Sequence, residues 1–110
     1  MSYEDEPPAA EVDLPTVLGA LADPGRLATV RALAREGTEI GCSQLQVAAG
    51  LDLTKSTMSH HLKVLREAGV THTRVLGVHW YVSLRRDALN ASFPGLLDAV
   101  IGDAALAPTN

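Results

Sequence analysis

The chain has 110 residues, a formal net charge of −4, and a 46% share of hydrophobic residues, enough for one small core that oligomerisation would help to complete. A single cysteine excludes an internal disulfide and a Cys-x-x-Cys zinc site. No apolar run approaches membrane-spanning length, and no paired carboxylates, nucleophile with its base, or phosphate-cradling glycine loop occurs at usable spacing, so neither a membrane role nor an enzyme is expected.

Residues 1–12 carry Glu4, Asp5, Glu6 and Glu11 around Pro7-Pro8, a composition that buries too little surface to offset ordering entropy, and a disordered acidic tail is expected. The acidic start is unlike a secretion signal, so a cytoplasmic location is expected. Asp13 and Pro15 open a first helix with Leu14, Val17, Leu18 and Leu21 apolar. Asp23-Pro24 opens a second that buries Leu27, Val30 and Leu33 and stops at Gly37. Ser43-Gln44-Leu45-Gln46 reads as a capping box for a brief third helix ended by Gly50, with Cys42 stapled against Val47.

Residues 54–69 are the most informative stretch. Met58, Leu62 and Leu65 recur at i, i+4, i+7, which puts them on one helical stripe able to pack on a core. The opposite stripe is Ser56, Ser59, His60 and Lys63, small or hydrogen-bonding side chains that let a helix enter a major groove. Thr54 offers an N-cap and Gly69 a stop. The third helix, the turn at 51–53 and this helix form a helix-turn-helix with the reading helix second. Residues 54–86 also hold Lys55, Lys63, Arg66, Arg74, Arg85 and Arg86 against Glu67 alone, a regional positive charge suited to a polyanion despite the acidic whole.

Residues 70–75 and 79–84 are rich in β-branched and aromatic side chains and flank Leu76-Gly77-Val78, which predicts a two-stranded hairpin placed as a wing. Trp80 shares a strand face with Val82 and Leu84 and is expected in the core. Asp87 and Ser92 each offer a cap to further helix. Leu96, Leu97, Val100 and Ile101 form an apolar stripe, and 104–110 are expected to fray. The fold class is therefore mainly α with a small β element (α+β): a winged helix-turn-helix over 13–103 that binds double-stranded DNA.

Three stretches carry a resemblance. Residues 20–27 are similar to the Ala-Leu-x-Asp-Pro-x-Arg-Leu signature of the ArsR/SmtB family of bacterial winged-helix repressors, 56–69 are similar to that family's recognition helix, and Gly77, Tyr81 and Leu84 fit its wing. The likeness spans 14–102. It implies a homodimer joined through the first and last helices, a repressor that binds an inverted repeat and releases it to an inducer. The expected dimer residues are Leu14, Val17, Leu18, Leu21, Leu96, Leu97, Val100 and Ile101, with closure of the monomer core as their alternative use.

The expected DNA contacts are Lys55, Ser56, Thr57, Ser59, His60, Lys63 and, on the wing, Arg74. Where the family often has a basic residue after the wing glycine, this chain has Val78. His61 lies beside the apolar stripe and is expected to pack, while Arg26 can anchor helices or touch a phosphate. The family's metal-binding Cys-Val-Cys corresponds to Gly41-Cys42-Ser43, and 87–103 lacks the histidine of its other site, so no cofactor or metal is expected. His60 and His61 diverge by about 100° on a helix, and His72 and His79 fall on opposite strands out of register. Two other readings follow: a nickel or zinc sensor with a site unlike the family's, or the DNA-binding half of a two-protein sensor whose co-regulator partner carries the ligand site.

Overall fold

Local side-chain chemistry starts three of the helices in the computed structural model, which describes residues 7–8 and 11–102. The Asp13 carboxylate accepts from the Thr16 N–H and opens α1 (Leu14–Leu21), and Asp23 accepts from the Arg26 N–H to open α2 (Pro24–Glu36). Thr54 accepts from the Thr57 N–H at the head of α4 (Lys55–Glu67). Each such cap is worth about 1 kcal/mol, because it satisfies an amide the helix cannot.

The other three helices begin without a side-chain cap. β1 (Ile40–Gly41) runs directly into α3 (Cys42–Ala48), whose N-cap is Gly41, so Ser43 lies inside the helix and the expected capping box is absent. Gln46 instead donates to the Leu53 carbonyl at 3.0 Å and closes the turn of the helix-turn-helix. Likewise α5 (Arg86–Ser92) and α6 (Leu96–Ile101) start from Arg85 and Gly95; Asp87 sits in the first turn of α5 and Ser92 at its end.

The sheet has three antiparallel strands in the order β1-β3-β2, one more than the two-stranded wing read from the sequence. The added strand pairs Ile40 with Val82 and Gly41 with Tyr81; two residues have no alternation to read. β2 (Thr71–Leu76) and β3 (His79–Leu84) pair from Thr71↔Leu84 to Leu76↔His79, leaving a two-residue turn. Gly77 takes φ +63 at its first position and Val78 keeps an ordinary φ, the pattern of a type II′ turn whose twist matches the strands. His72 pairs with Ser83 and His79 with Leu76, so the two histidines do not face one another.

Two apolar clusters hold the layers. Val17 and Leu21 of α1, Val30 of α2, Leu65 of α4 and Leu97 and Ile101 of α6 form the first. Leu33 of α2, Leu45 of α3, Met58 and Leu62 of α4 and Val82 of β3 form the second. α2 and α4 take part in both, α4 being anchored at its start by Met58 and Leu62 and near its end by Leu65. Burying three such side chains supplies about 1.5–3 kcal/mol each. Gly69, just past α4, lets the chain turn where a Cβ would lie 2.5 Å from Val12. The expected tail over 1–12 lies partly outside the described residues, but Pro7 and Val12 sit against the body, and the Pro7 carbonyl accepts from Arg85 at 2.7 Å. The expected fraying at 104–110 lies outside the described residues altogether.

Candidate nucleic-acid interface

The period of α4 divides its side chains cleanly. With Met58, Leu62 and Leu65 buried, Lys55, Ser56, Thr57, Ser59, His60 and Lys63 are all exposed on the remaining surface. Lys55 and His60 form no ion pair among the described residues. Lys63 meets Glu67 one turn on at 2.7 Å, an exposed i,i+4 pair that a phosphate could displace. Thr57 and Ser56 cluster with the Thr54 hydroxyl at the helix head, at 2.9 and 3.3 Å, so these two are partly committed to holding the cap.

His61 locks the helix from behind. Its ring is largely buried, with Nδ1 3.2 Å from the Arg26 guanidinium and Nε2 3.7 Å from the Asp23 carboxylate. The guanidinium can only donate, so Nδ1 accepts and the proton of the neutral ring sits on Nε2, toward Asp23. Asp23 is held below its ordinary value first by the Arg26 N–H and further by the Gly25 N–H and the Arg26 charge. Arg26 also donates to the Ala20 carbonyl at 2.6 Å, which resolves its role in favour of helix anchoring.

The arginines of 54–86 are used inside the molecule. Arg66 is 5% exposed, Arg85 donates to Pro7 and Gly69, and Arg86 reaches the Ala34 carbonyl. Arg74, the expected wing contact, is instead clamped by Glu39 in a two-pronged pair, with Nε 3.2 Å from one carboxylate oxygen, and its guanidinium lies 4.9 Å over the Tyr81 ring. That pairing holds Glu39 below its ordinary 4.5 through the Arg74 hydrogen bond and charge. Of the Lys and Arg side chains of 54–86, Lys55 and Lys63 are the exposed ones.

Trp80 departs from expectation in the other direction. It lies on the same strand face as Val82 and Leu84, but at the hairpin tip, beyond the reach of the core, and it is 40% exposed. There it overhangs a groove between the hairpin, α3 and the start of α4. Exposed Leu76 and Val78 complete an apolar tip. Only the extent of the core could have revealed this; strand alternation gives the face and not the depth.

Cys42 is half-buried against the second cluster, and Val47 is fully turned to solvent, so the expected staple between them is not formed. Burial pushes the thiol up, partly offset by Arg66, which opposes a reactive thiolate. Among the described residues no three His, Cys, Asp or Glu side chains gather in a way that could hold an ion.

The expected dimer residues divide into two groups. Leu14 and Leu18 stand exposed one turn apart on α1, and Leu96 and Val100 are half-buried on α6. Val17, Leu21, Leu97 and Ile101 are buried in the first cluster, behind those surfaces.

Residues 21–74, from the end of α1 through Arg74 of β2, match the family described as "Helix-turn-helix domain". The chain is also 40% identical over 84 residues to "Uncharacterized HTH-type transcriptional regulator YceK" of Bacillus subtilis (strain 168), covering 76% of this chain and 82% of that protein.

Proposed function

The chain belongs to the helix-turn-helix transcriptional regulators, DNA-binding proteins, and on that premise we propose that it is a winged-helix repressor of the ArsR/SmtB type, binding an inverted repeat as a homodimer. The observation that carries this reading is the division of α4, buried through Met58, Leu62 and Leu65 and displaying Ser59, His60 and Lys63. In the proposed complex α4 lies in the major groove. Ser59 and His60 meet base edges, Lys55 and Lys63 take phosphates, and Ser56 and Thr57 hold the helix head against the backbone.

The dimer places two copies of α4 on half-sites about one helical turn apart. Leu14 and Leu18 with Leu96 and Val100 form its contact, and Val17, Leu21, Leu97 and Ile101 stiffen it from the core. No metal or cofactor takes part in this reading, and the protein works in the cytoplasm.

Selection of binding sites from random duplexes tests it. A two-fold related sequence is the expected product. On that sequence Ser59→Ala with His60→Ala loses roughly ten- to hundredfold in affinity and leaves random DNA unaffected. Lys63→Ala weakens both and lowers the salt slope by about 0.9. Equal losses on selected and random DNA from both variants would reject these roles.

A further inference from the structure

Trp80 has no part in the assignments above, and the hairpin wall of the groove beneath it, Val78 with His79, Trp80 and Tyr81, lies beyond the family match, which ends at Arg74. Its volume is about 720 Å³, and it is partly open to solvent. Ser59 belongs to both groove and stripe and Lys55, one turn before it, is exposed on the groove's edge, so whatever lies along that stripe continues into the groove. Its floor is Met58 and Leu62, its roof Trp80. No Asp or Glu lines it, although the chain carries 13 acids against 9 Lys and Arg. By contrast, the neighbouring cavity on the far side of α3 is lined by both Glu36 and Glu39.

We propose that this groove seats one sugar-phosphate strand of the bound duplex, with Trp80 packed on a deoxyribose and Lys55 paired to the adjoining phosphate. The inference rests on the DNA-binding reading and extends it to a strand contact made by the inner face of the hairpin. A DNA strand has the chemistry the groove offers: an apolar sugar face beside an anion, repeated along a line. The volume alone would also suit a small ligand. Continuity with the α4 stripe and the absence of carboxylates decide for the strand, because a phosphate beside buried acid would be repelled. Arg74 lies on the opposite face of the same hairpin, so the inner, aromatic side does the work that a basic wing would otherwise do.

The chain has one tryptophan, so its fluorescence reports this groove and nothing else. The full chain is titrated at low salt with a labelled mixed-sequence duplex of about two helical turns, following Trp80 emission and duplex anisotropy together. Both signals are expected to change at the same concentration. Trp80→Ala is expected to weaken binding on the order of tenfold with an unchanged salt slope, since the contact is not ionic. Trp80→Phe keeps most of the affinity, which separates contact loss from misfolding, and Lys55→Ala lowers the slope by about 0.9. Duplex binding with constant emission and an unaffected Trp80→Ala variant overturns the proposal. So does an emission change with an apolar dye alone, which would make the groove a small-molecule site. Failure of the wild-type chain to bind any duplex overturns the DNA-binding reading itself.

Discussion

On α4 Lys55, Lys63 and the hydroxyl side chains stand in solvent, whereas on the hairpin the one arginine, Arg74, is held between Glu39 and Tyr81 and the tip is apolar. The two regions are neighbours in the chain and carry opposite surfaces. The helix presents what its 3.6-residue period leaves outside two cores, an arrangement settled within thirteen residues. The hairpin presents what remains after a loop residue, Glu39, has crossed 35 positions of sequence to neutralise its base. A helix face can therefore be read for charge from its own residues, while a strand's charge has to be read together with whatever packs beside it.

The largest way to break this comparison is to loosen the helix. Leu65 is fully buried where α4 meets α1, α2 and α6, and Leu65→Ala is expected to cost about 2–5 kcal/mol, measured as a lower urea midpoint. An effect below about 1 kcal/mol would mean that α4 owes little to the first cluster.

A smaller change of opposite sign is expected in the hairpin. The hydroxyls of Thr71 and Thr73 are buried on the inner face of β2 with no hydrogen-bond partner among the described residues. Thr73→Val keeps the shape and removes the unpaired group, so the same denaturation is expected to show a gain of about 1 kcal/mol. A loss would indicate that the hydroxyl is satisfied in solution.

The finest test acts on the charge of the wing. Glu39→Gln releases Arg74, and the dependence of duplex affinity on salt is expected to steepen by about 0.9, as one more phosphate is neutralised. An unchanged slope would leave Arg74 as a purely structural residue held by Tyr81. The same variant has a pH signature. Because the folded value of Glu39 is depressed, the pair contributes fully above the ordinary 4.5 and is lost as pH falls through the lower folded value. That acid-side loss is expected in the wild type and absent in Glu39→Gln, as followed by thermal melts below pH 5 or so.

How far the sequence could be read depended on the distance over which each feature is decided. Asp13, Asp23 and Thr54 cap helices through bonds to residues three positions on, and all three were legible. Ser43 fails the same test because β1 pairing draws Gly41 into the sheet and starts α3 two residues earlier than a serine cap would. The apolar stripes at both chain ends were visible, but periodicity marks only that a face is apolar. Which of its members go inward, as Val17 and Ile101 do, and which stay at the surface, as Leu18 does, follows from where other helices land.

The sequence by itself determined the helix-turn-helix, the outward stripe of α4 and the place of the hairpin, because these rest on period, caps and turn residues acting over a few positions. Tertiary structure alone decided that Arg74 is paired, that Arg26 and His61 brace α4, that Cys42 packs without Val47, and that Trp80 overhangs a groove. Each of those depends on partners brought together by packing from distant parts of the chain, and on how far the core extends along a strand whose alternation it does not alter.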